Sequence, residues 1–502
     1  MGCTMKRKKA QLLWLLFIAF IVNFSVIYGR KMPVGGNGGD TIIHMAMIRG
    51  IYLGRNPFLD QHYNVPPNWY PFLYHALIAF LARLTHISIW SLMIWTPLIF
   101  ALIMVFAWYK LGEELDKDYG GLLFGSLAFL ALKSQLFPNP KELIPIFLPL
   151  FYLEYYRYFR DRENRHLLYS GLLLGLMMWS HYGAALPVLA GTIAYALIEL
   201  KRNPKLMIPP FLSLAVFSPF IVNVLLHIHP GSTMIVEGKW LSALSWSSAL
   251  HRIASPSWTL PIVTIAFLSL RKRNLEFWNF LIVVIISMIG INVTPTIVYD
   301  LGGPAVFPSR FGIPLSYTYL ILCGFGIDFL IKALKIPRKQ ILSLTFSFLL
   351  IIYGSWSFIA CNYHNFSSKY TYKNFEDLAG NYTKGLVKVS EWIRENTERD
   401  AYLIGYPYTL EWIAGFTGRP VVAVSYGHGN PFLDMEQRRK DIEEFFTNPE
   451  KREEIIKKYN IKYIILDPYT KRSFNVTIDD FGDNFRIVFQ WGEFYILEKN
   501  IK

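Results

Sequence analysis

The sequence predicts a polytopic α-helical membrane protein of about eleven spans, followed by a C-terminal α/β domain outside the membrane. Hydrophobic residues make up 53% and aromatic residues 16% of its 502 positions, which is too apolar for an ordinary soluble protein. Apolar runs of 18 or more residues recur, the length that a membrane-spanning helix needs. After about residue 362 the chain becomes polar and mixed. We therefore divide it into residues 1–361 and 362–502.

The charge and cysteine content exclude two other classes. The formal net charge is +14, but Lys and Arg cluster in short loops between the apolar runs, a pattern that sets membrane topology. We therefore expect membrane lipids as partners and no nucleic acid. The three cysteines are Cys3, Cys323 and Cys361, and Cys323 falls inside an apolar run. This content predicts neither a disulfide framework nor a cysteine metal cluster.

The order of the spans predicts the topology. We expect spans near 11–28, 89–109, 120–133, 142–158, 167–183, 185–200, 206–226, 258–270, 275–292, 311–333 and 341–360. The basic clusters then fall on one side: Lys6 to Lys9, Arg157 to Arg165, Lys201 to Lys205, Arg271 to Arg273 and Lys332 to Lys339. Positive clusters mark the cytoplasmic side. The pattern predicts a multi-pass plasma-membrane protein with a cytoplasmic N-terminus and an extracytoplasmic C-terminal domain.

One segment decides which side each later loop occupies. Residues 70–84 form an apolar stretch of 15 residues, near the lower limit for a span. If this stretch crossed, every later basic cluster would move outside. We therefore interpret it as an interfacial or half-inserted helix within a first outer loop, 29–88.

The polar C-terminal part has the periodicities of a small α/β domain. The pattern predicts a strand at 402–405, another at 421–424, a third at 462–466 and a closing hairpin at 485–498. Helices are expected between them, at 384–396, 409–416 and within 436–459.

An acidic residue stands just beyond the first span. A glycine-rich loop, 35–39, leads to Asp40 at the start of an amphipathic helix. A carboxylate at this place can accept a proton from a hydroxyl group, as a general base does. It can also serve as a helix N-cap, since Asp is a favoured capping residue.

Few other ionisable residues lie on the predicted outer side, where such groups are costly unless paired or functional. Lys141, Arg310 and Lys239 are the candidates for binding a phosphate group. Secondary site candidates are Tyr70, His44, His75, Glu142 and His181. Structural alternatives remain for each kind of residue. Arg310 would anchor a helix end, Lys141 would pair with Glu142, the histidines would be satisfied at an interface, and Tyr70 would belong to an aromatic belt.

At these residues the chain resembles the GT-C superfamily of integral-membrane glycosyltransferases. The matching pieces are Gly39-Asp40, Asn56-Pro57-Phe58, Tyr70 to His75 and the multi-span body to about residue 361. The outer domain resembles those of archaeal relatives at Ser390 to Thr397, Thr417 to Val422 and Lys458 to Ile464. The resemblance implies a polyprenyl (dolichyl) phosphate sugar donor, Asp40 as the base, and transfer that inverts the anomeric centre. The acceptor would be a glycan, a lipid-linked glycan or a protein.

The chain departs from parts of the family pattern. Asp40 is followed by Thr41, where many protein mannosyltransferases have Asp-Glu. The Trp-Trp-Asp-Tyr-Gly and Asp-x-Asp motifs of oligosaccharyltransferases do not occur. We therefore predict no metal site and no firm cofactor, with a divalent cation possible but not required. Two alternatives stay open: oligosaccharyltransferase-like transfer from a lipid pyrophosphate, and a non-enzymatic transporter of a lipid-linked sugar.

Overall fold

Among the residues that the structure describes, helices are the main regular structure of the multi-span region in the computed structural model. The structure describes residues 2–30, 33, 39–132, 138–228, 238–255, 259, 262–266, 274–303, 308, 310–333, 339–367, 381–425 and 428–500. The helices of the first part are α1 (Gly2–Ile27), α2 (Asp40–Tyr52), α3 (Leu73–Thr85), α4 (Ile89–Leu115), α5 (Gly120–Ala131), α6 (Ile144–Asp161), α7 (Asn164–Ile198), α8 (Ile208–His227), α9 (Trp246–Ala254), α10 (Leu275–Asp300), α11 (Gly312–Ala333) and α12 (Lys339–Ser367).

Length and composition confirm the polytopic helical class. Within the described residues, seven helices are long and apolar enough to cross a membrane: α1, α4, α7, α8, α10, α11 and α12. Helices α3 and α5 are apolar but shorter. The total of eleven spans stays a prediction, as does the cytoplasmic position of the N-terminus.

Helix α7 is folded back on itself at His181. A straight helix of its 35 residues would be about 52 Å long. Yet both ends lie at Glu276. Arg162, two residues before α7, pairs with the Glu276 carboxylate at 2.5 Å, and the Tyr195 hydroxyl near the far end donates to the Glu276 carbonyl at 3.2 Å. His181 alone has non-helical backbone angles, φ −160° and ψ 93°.

The two halves of α7 therefore run antiparallel, and they correspond to the predicted spans 167–183 and 185–200. The first half packs on α8, where the Cα of Gly175 approaches Val216. The second packs on α10, where Gly191 approaches Val284. A side chain at either glycine would collide with these valines or require them to shift. The fold brings His181 to the end of the bundle where α2 lies.

Helix α2 is enclosed between α3 and the C-terminal domain. Arg83 at the end of α3 donates to the carbonyls of Ile51 and Tyr52 at the end of α2. On its other side, Ile42 of α2 packs so closely on Gly415 that a methyl group there would be 2.6 Å from the isoleucine side chain. Both ends of α3 thus lie beside α2. That α3 does not cross the membrane stays a prediction.

In its described residues, the C-terminal part contains a four-stranded sheet and five α-helices. The strands are β1 (Tyr402–Ile404), β2 (Ile461–Leu466), β3 (Phe485–Trp491) and β4 (Phe494–Lys499), in the order β1-β2-β4-β3. β1 is parallel to β2, and the other pairs are antiparallel. The helices are α13 (Asn381–Asn396), α14 (Pro407–Thr417), α15 (Met435–Thr447), α16 (Arg452–Tyr459) and α17 (Pro468–Phe474).

The predicted strand at 421–424 was wrong. Only Val421 makes a bridge to β1, opposite Leu403. Its N–H donates instead to the carbonyl of His62 in the first loop, at 2.7 Å. The segment is buried, which explains its strand-like sequence. Val422 still donates to the Leu403 carbonyl of β1, at 3.1 Å, whereas the Val421 bond joins the domain to the first loop.

A buried polar contact completes this junction. The Asn430 side-chain amide donates to the Asp60 carboxylate at 2.9 Å and to the Pro67 carbonyl at 2.7 Å. Asp60 and Asn430 have no solvent exposure. Because unpaired buried polar groups are costly, this pairing fixes how the domain and the first loop meet.

Candidate functional site

Asp40 is the first residue of α2. Gly39 occupies the cap position with φ 66°, a left-handed conformation that glycine adopts at little cost. No side chain caps this helix, so the N-cap interpretation of Asp40 was wrong. One carboxylate oxygen lies 3.4 Å from Nη2 of Arg310, and the other 3.7 Å from Nε2 of His428. The side chain keeps 53% exposure, which leaves it open to a substrate.

Two predicted phosphate-binding cations converge on Asp40. Arg310 lies two residues before α11, and its side chain is 35% exposed. Lys141 lies in a short 3₁₀ turn, Pro140–Leu143, and its backbone N–H donates to the Asn139 side chain at 3.2 Å. Burial lowers the pKa of Lys141. Among the charges acting on it, Glu142 and Asp40 raise that pKa and Arg310 lowers it. Lys141, Arg310 and Asp40 therefore share one electrostatic environment.

The secondary candidates form a buried aromatic layer behind Asp40. His44 Nδ1 and His75 Nε2 are 3.0 Å apart, a hydrogen bond between two imidazoles. The Tyr70 ring meets His44 and His181 edge-on, with centroids 5.2 and 5.5 Å away. Burial lowers the pKa of His44 to about 3, so its imidazole is neutral at physiological pH. Burial also raises the pKa of Tyr70 above its ordinary value, which keeps the phenol protonated.

The other predicted site residues are Glu142 and Lys239. Glu142 is buried, with 1% exposure, beside Lys141. Lys239 belongs to the short 3₁₀ helix Gly238–Leu244, and its side chain lies outside the part of the chain that the structure describes. Among the residues described, no group of three His, Cys, Asp or Glu side chains is placed to hold a metal ion.

The sequence analysis missed His428, which the C-terminal domain supplies. Its Nε2 faces Asp40, and its Nδ1 lies 3.1 Å from the carboxylate of Glu411 on α14. Glu411 is 1% exposed and also accepts a hydrogen bond from the Ser425 hydroxyl. The one signal in the sequence was a histidine between two glycines, Gly427-His428-Gly429, in a loop with few charges.

Charge pairing sets the protonation state of Asp40 and His428. Burial lowers the pKa of His428, but hydrogen bonds to Asp40 and Glu411 outweigh it and raise that pKa to about 10. The His428 hydrogen bond is the largest cause that holds the pKa of Asp40 well below its usual range. Burial opposes it, and the charges of Arg310 and His428 add to it. At neutral pH the site therefore holds an ionised carboxylate between an imidazolium and a guanidinium.

The comparisons with known proteins agree with this architecture. Residues 70–223 match the model of the dolichyl-phosphate-mannose-protein mannosyltransferase family. No match was found among curated proteins. The match runs from Tyr70 into α8, so it includes Tyr70, His75 and His181 of the aromatic layer and Lys141, but not His44 or Asp40.

Solved structures share the fold across nearly the whole chain. ArnT from Cupriavidus metallidurans in the apo state is 11% identical with a TM-score of 0.59, covering 97% of this chain and 98% of its own. The same enzyme bound to undecaprenyl phosphate gives 11% and 0.58, covering 97% of each chain. The oligosaccharyltransferase AglB from Archaeoglobus fulgidus, with an inhibitory peptide and a dolichol-phosphate, is 14% identical with a TM-score of 0.50. It covers 91% of this chain and 69% of its own. The chain therefore has the fold of the integral-membrane proteins ArnT and AglB, and its residues 70–223 are similar to the dolichyl-phosphate-mannose-protein mannosyltransferase family.

Proposed function

We propose that the protein transfers a sugar from a polyprenyl (dolichyl) phosphate to a hydroxyl group at the outer membrane face, with Asp40 as the general base. One observation carries the proposal. The half-exposed carboxylate of Asp40 lies 3.4 Å from Arg310, and both residues act electrostatically on Lys141. The three residues come from separate parts of the chain. A base next to phosphate-binding cations is the minimum set that such a transfer needs.

The reaction balances with these groups alone. The ionised Asp40 accepts the proton of the acceptor hydroxyl while the oxygen of that hydroxyl attacks the anomeric carbon of the donor sugar. The bond between that carbon and the phosphate oxygen breaks, and its electron pair leaves with the lipid phosphate. The products are a new glycosidic bond, a lipid monophosphate and a protonated Asp40. The low pKa of Asp40 ensures that it begins the cycle ionised.

Arg310 and Lys141 would stabilise the negative charge that develops on the leaving phosphate. A guanidinium binds two phosphate oxygens at once through its planar fork, whereas an ammonium acts as a point charge. Because Arg310 already lies 3.4 Å from Asp40, a phosphate that it holds would be close to the base. This proximity fits a displacement in which attack and departure occur at one carbon.

His428 would hold the carboxylate of Asp40 in place. It bridges Asp40 to the buried Glu411, so its ring is fixed from behind by a group that does not face the open site. We assign it a positioning role. The C-terminal domain then completes the centre whose other parts lie in the first loop and the spans.

A lipid-linked donor is supported by the fold relatives. The ArnT structure contains undecaprenyl phosphate, and the AglB structure contains a dolichol-phosphate. The half-inserted α3 and neighbouring spans would hold the polyprenyl tail. Likeness to AglB also favours a second candidate, transfer of an oligosaccharide from a lipid pyrophosphate. The two candidates differ in the leaving group.

The experiment that tests the proposal uses the purified full-length protein in detergent. It is incubated with radiolabelled sugars on polyprenyl monophosphate and on polyprenyl pyrophosphate, together with extracted glycolipids, glycans and proteins. Release of lipid monophosphate with label moving to a hydroxyl acceptor supports the proposal. Transfer only from pyrophosphate donors supports the second candidate. If no new glycosidic bond forms in detergent, but the protein reconstituted in liposomes moves the labelled lipid between the two leaflets, the transporter alternative is favoured.

A further inference from the structure

A second charged pocket lies where the end of α2 meets the C-terminal domain. Its volume is about 230 Å³, and it is lined by Arg49, Tyr52, Leu53, Arg394, Arg399, Thr417 and Arg419. Four of these seven residues are arginines. Arg49 follows Asp40 by nine positions, about two and a half helical turns, so it lies on the opposite face of α2. The pocket is therefore separate from the transfer site.

Arg49 of this pocket has a buried hydrogen-bond donor that lacks an acceptor. Its Nε is buried and has no hydrogen-bond partner. Burial and the nearby Arg394 charge lower the pKa of Arg49 to about 10, so at neutral pH it remains charged. A buried donor on a charged side chain is costly unless something accepts from it. Nothing among the described residues does so, and the cavity beside it offers room for an acceptor.

The other arginines are held in place around this cavity. Arg419 donates to the Thr397 carbonyl at 2.8 Å and to the Thr397 hydroxyl at 3.0 Å, so backbone and hydroxyl groups fix it. Arg55 donates to the carbonyl of Arg399 at 2.6 Å, which fixes the loop that carries Arg399. These hydrogen bonds therefore hold the arginines close together despite the repulsion between their like charges.

Acidic residues near the pocket do not neutralise it. Glu398 and Asp400 act on Arg419 electrostatically. Yet among the residues that the structure describes, Arg49, Arg394 and Arg399 have no carboxylate within the 4.0 Å of an ion pair. Three arginines facing one cavity without a counter-charge favour an anion with several acceptor oxygens.

We propose that this pocket binds a phosphate group, through the guanidinium groups of Arg49, Arg394 and Arg399. Planar forks suit phosphate oxygens, and Tyr52 at the rim adds a hydroxyl donor. Two sources carry this group: a phospholipid headgroup and a soluble phosphate. The headgroup source is supported by α3, whose exposed Phe80 and Leu84 adjoin Arg83, the residue bonded to the Tyr52 carbonyl.

The first arm of the test measures binding of inorganic phosphate by titration calorimetry to the full-length protein in detergent. All proteins compared carry Lys141→Ala and Arg310→Ala, which remove the phosphate-binding cations proposed beside Asp40. The double variant Arg49→Gln/Arg394→Gln should bind phosphate at least tenfold more weakly. Arg472→Gln, which removes one exposed arginine of the same domain, is the matched control and should bind normally. Arg394→Gln alone, at an exposed position, repeats the test in case loss of Arg49 impairs folding.

The second arm places the protein in nanodiscs of phosphatidylcholine, with or without phosphatidylglycerol, and follows thermal unfolding. Stabilisation by phosphatidylglycerol that the double variant loses identifies a lipid headgroup as the source. Phosphate binding in detergent without such stabilisation identifies a soluble phosphate. If neither phosphate nor phosphatidylglycerol distinguishes the double variant from Arg472→Gln, the proposal is overturned. The readout is binding rather than transfer, so it is independent of the role of Asp40.

Discussion

Asp40 is paired with two cations that reach it from distant parts of the chain. Arg310 comes from the start of α11, and His428 comes from a loop of the C-terminal domain. Each keeps the carboxylate ionised, but their expected tasks differ. Arg310 is exposed enough to contact a substrate, whereas His428 is fixed against the buried Glu411. Substitutions at the two positions should therefore produce different kinetic signatures.

Arg310 is predicted to act on the donor phosphate. Arg310→Lys keeps the charge but removes the planar fork, so donor use should weaken. Arg310→Ala should reduce the transfer rate by about 10²- to 10³-fold, the usual scale for a lost charge-stabilising donor. Steady-state kinetics with varied donor measures both. Normal turnover and donor affinity in both variants would reduce Arg310 to a helix-end anchor.

His428 is predicted to act through Asp40. His428→Gln should lower the turnover number by roughly tenfold and leave the KM for the donor unchanged, because the phosphate contacts lie elsewhere. In a double-mutant cycle, His428→Gln should cost little further once Asp40→Asn is present. Fully additive effects would show that the two residues work independently, and would remove the positioning role.

At the scale of elements, the fold of α7 at His181 determines where the loops lie. The first half of α7 begins beside Arg162, and the second half ends beside the same Arg162–Glu276 pair. Helix α8 then returns to the first loop, where the Asn223 side chain donates to the Phe58 carbonyl at 2.9 Å. One end of the bundle therefore holds Arg162 and the other holds the first loop and Asp40.

This arrangement gives a labelling prediction. In a cysteine-free background, a cysteine is introduced by Arg472→Cys in the C-terminal domain or by Arg165→Cys at the start of α7. Arg165 has 63% side-chain exposure, so accessibility does not limit the comparison. A membrane-impermeant reagent added to intact cells should label position 472 and not position 165, and permeabilised cells should show both. External labelling of position 165 would contradict the predicted topology, because it would place this end of the bundle outside the cell.

At the scale of the whole molecule, the C-terminal domain and the first loop fold as one unit around Asp60. Asn430→Ala would leave the fully buried Asp60 carboxylate without its amide partner. We expect the loss of about 1–3 kcal/mol of stability, the cost of an unpaired buried polar group. The transfer rate should fall too, because Asn430 is two residues from His428.

Thermal unfolding and transfer rate, measured on the same Asn430→Ala preparation, check this prediction. Asn396→Ala, at an exposed helix end of the same domain, serves as the control. An Asn430→Ala protein with unchanged stability and unchanged rate would show that the docking contact is unimportant for the site.

The limits of sequence-based prediction follow from the same distances. Asp40 and His44 are one turn apart, and Tyr70 and His75 share one short segment, so local spacing predicts their nearness. Arg310 was selected by charge and predicted side alone. Its contact with Asp40 spans 270 positions, which no local pattern encodes. His428 was missed because its position depends on how the domain docks on the first loop. The extended segment at 421–424 appeared to be a strand for the same reason.

The central claim is that Asp40 is the general base of a sugar transfer, and the variant Asp40→Asn tests it most directly. Asparagine keeps the volume of the side chain and loses its ability to accept a proton. Transfer by the purified variant is compared with wild type, with thermal unfolding as the folding control and donor binding measured separately. We predict a folded protein that still binds donor but transfers sugar at least about two orders of magnitude more slowly. A rate within a few-fold of wild type would contradict the assignment of Asp40 as the base.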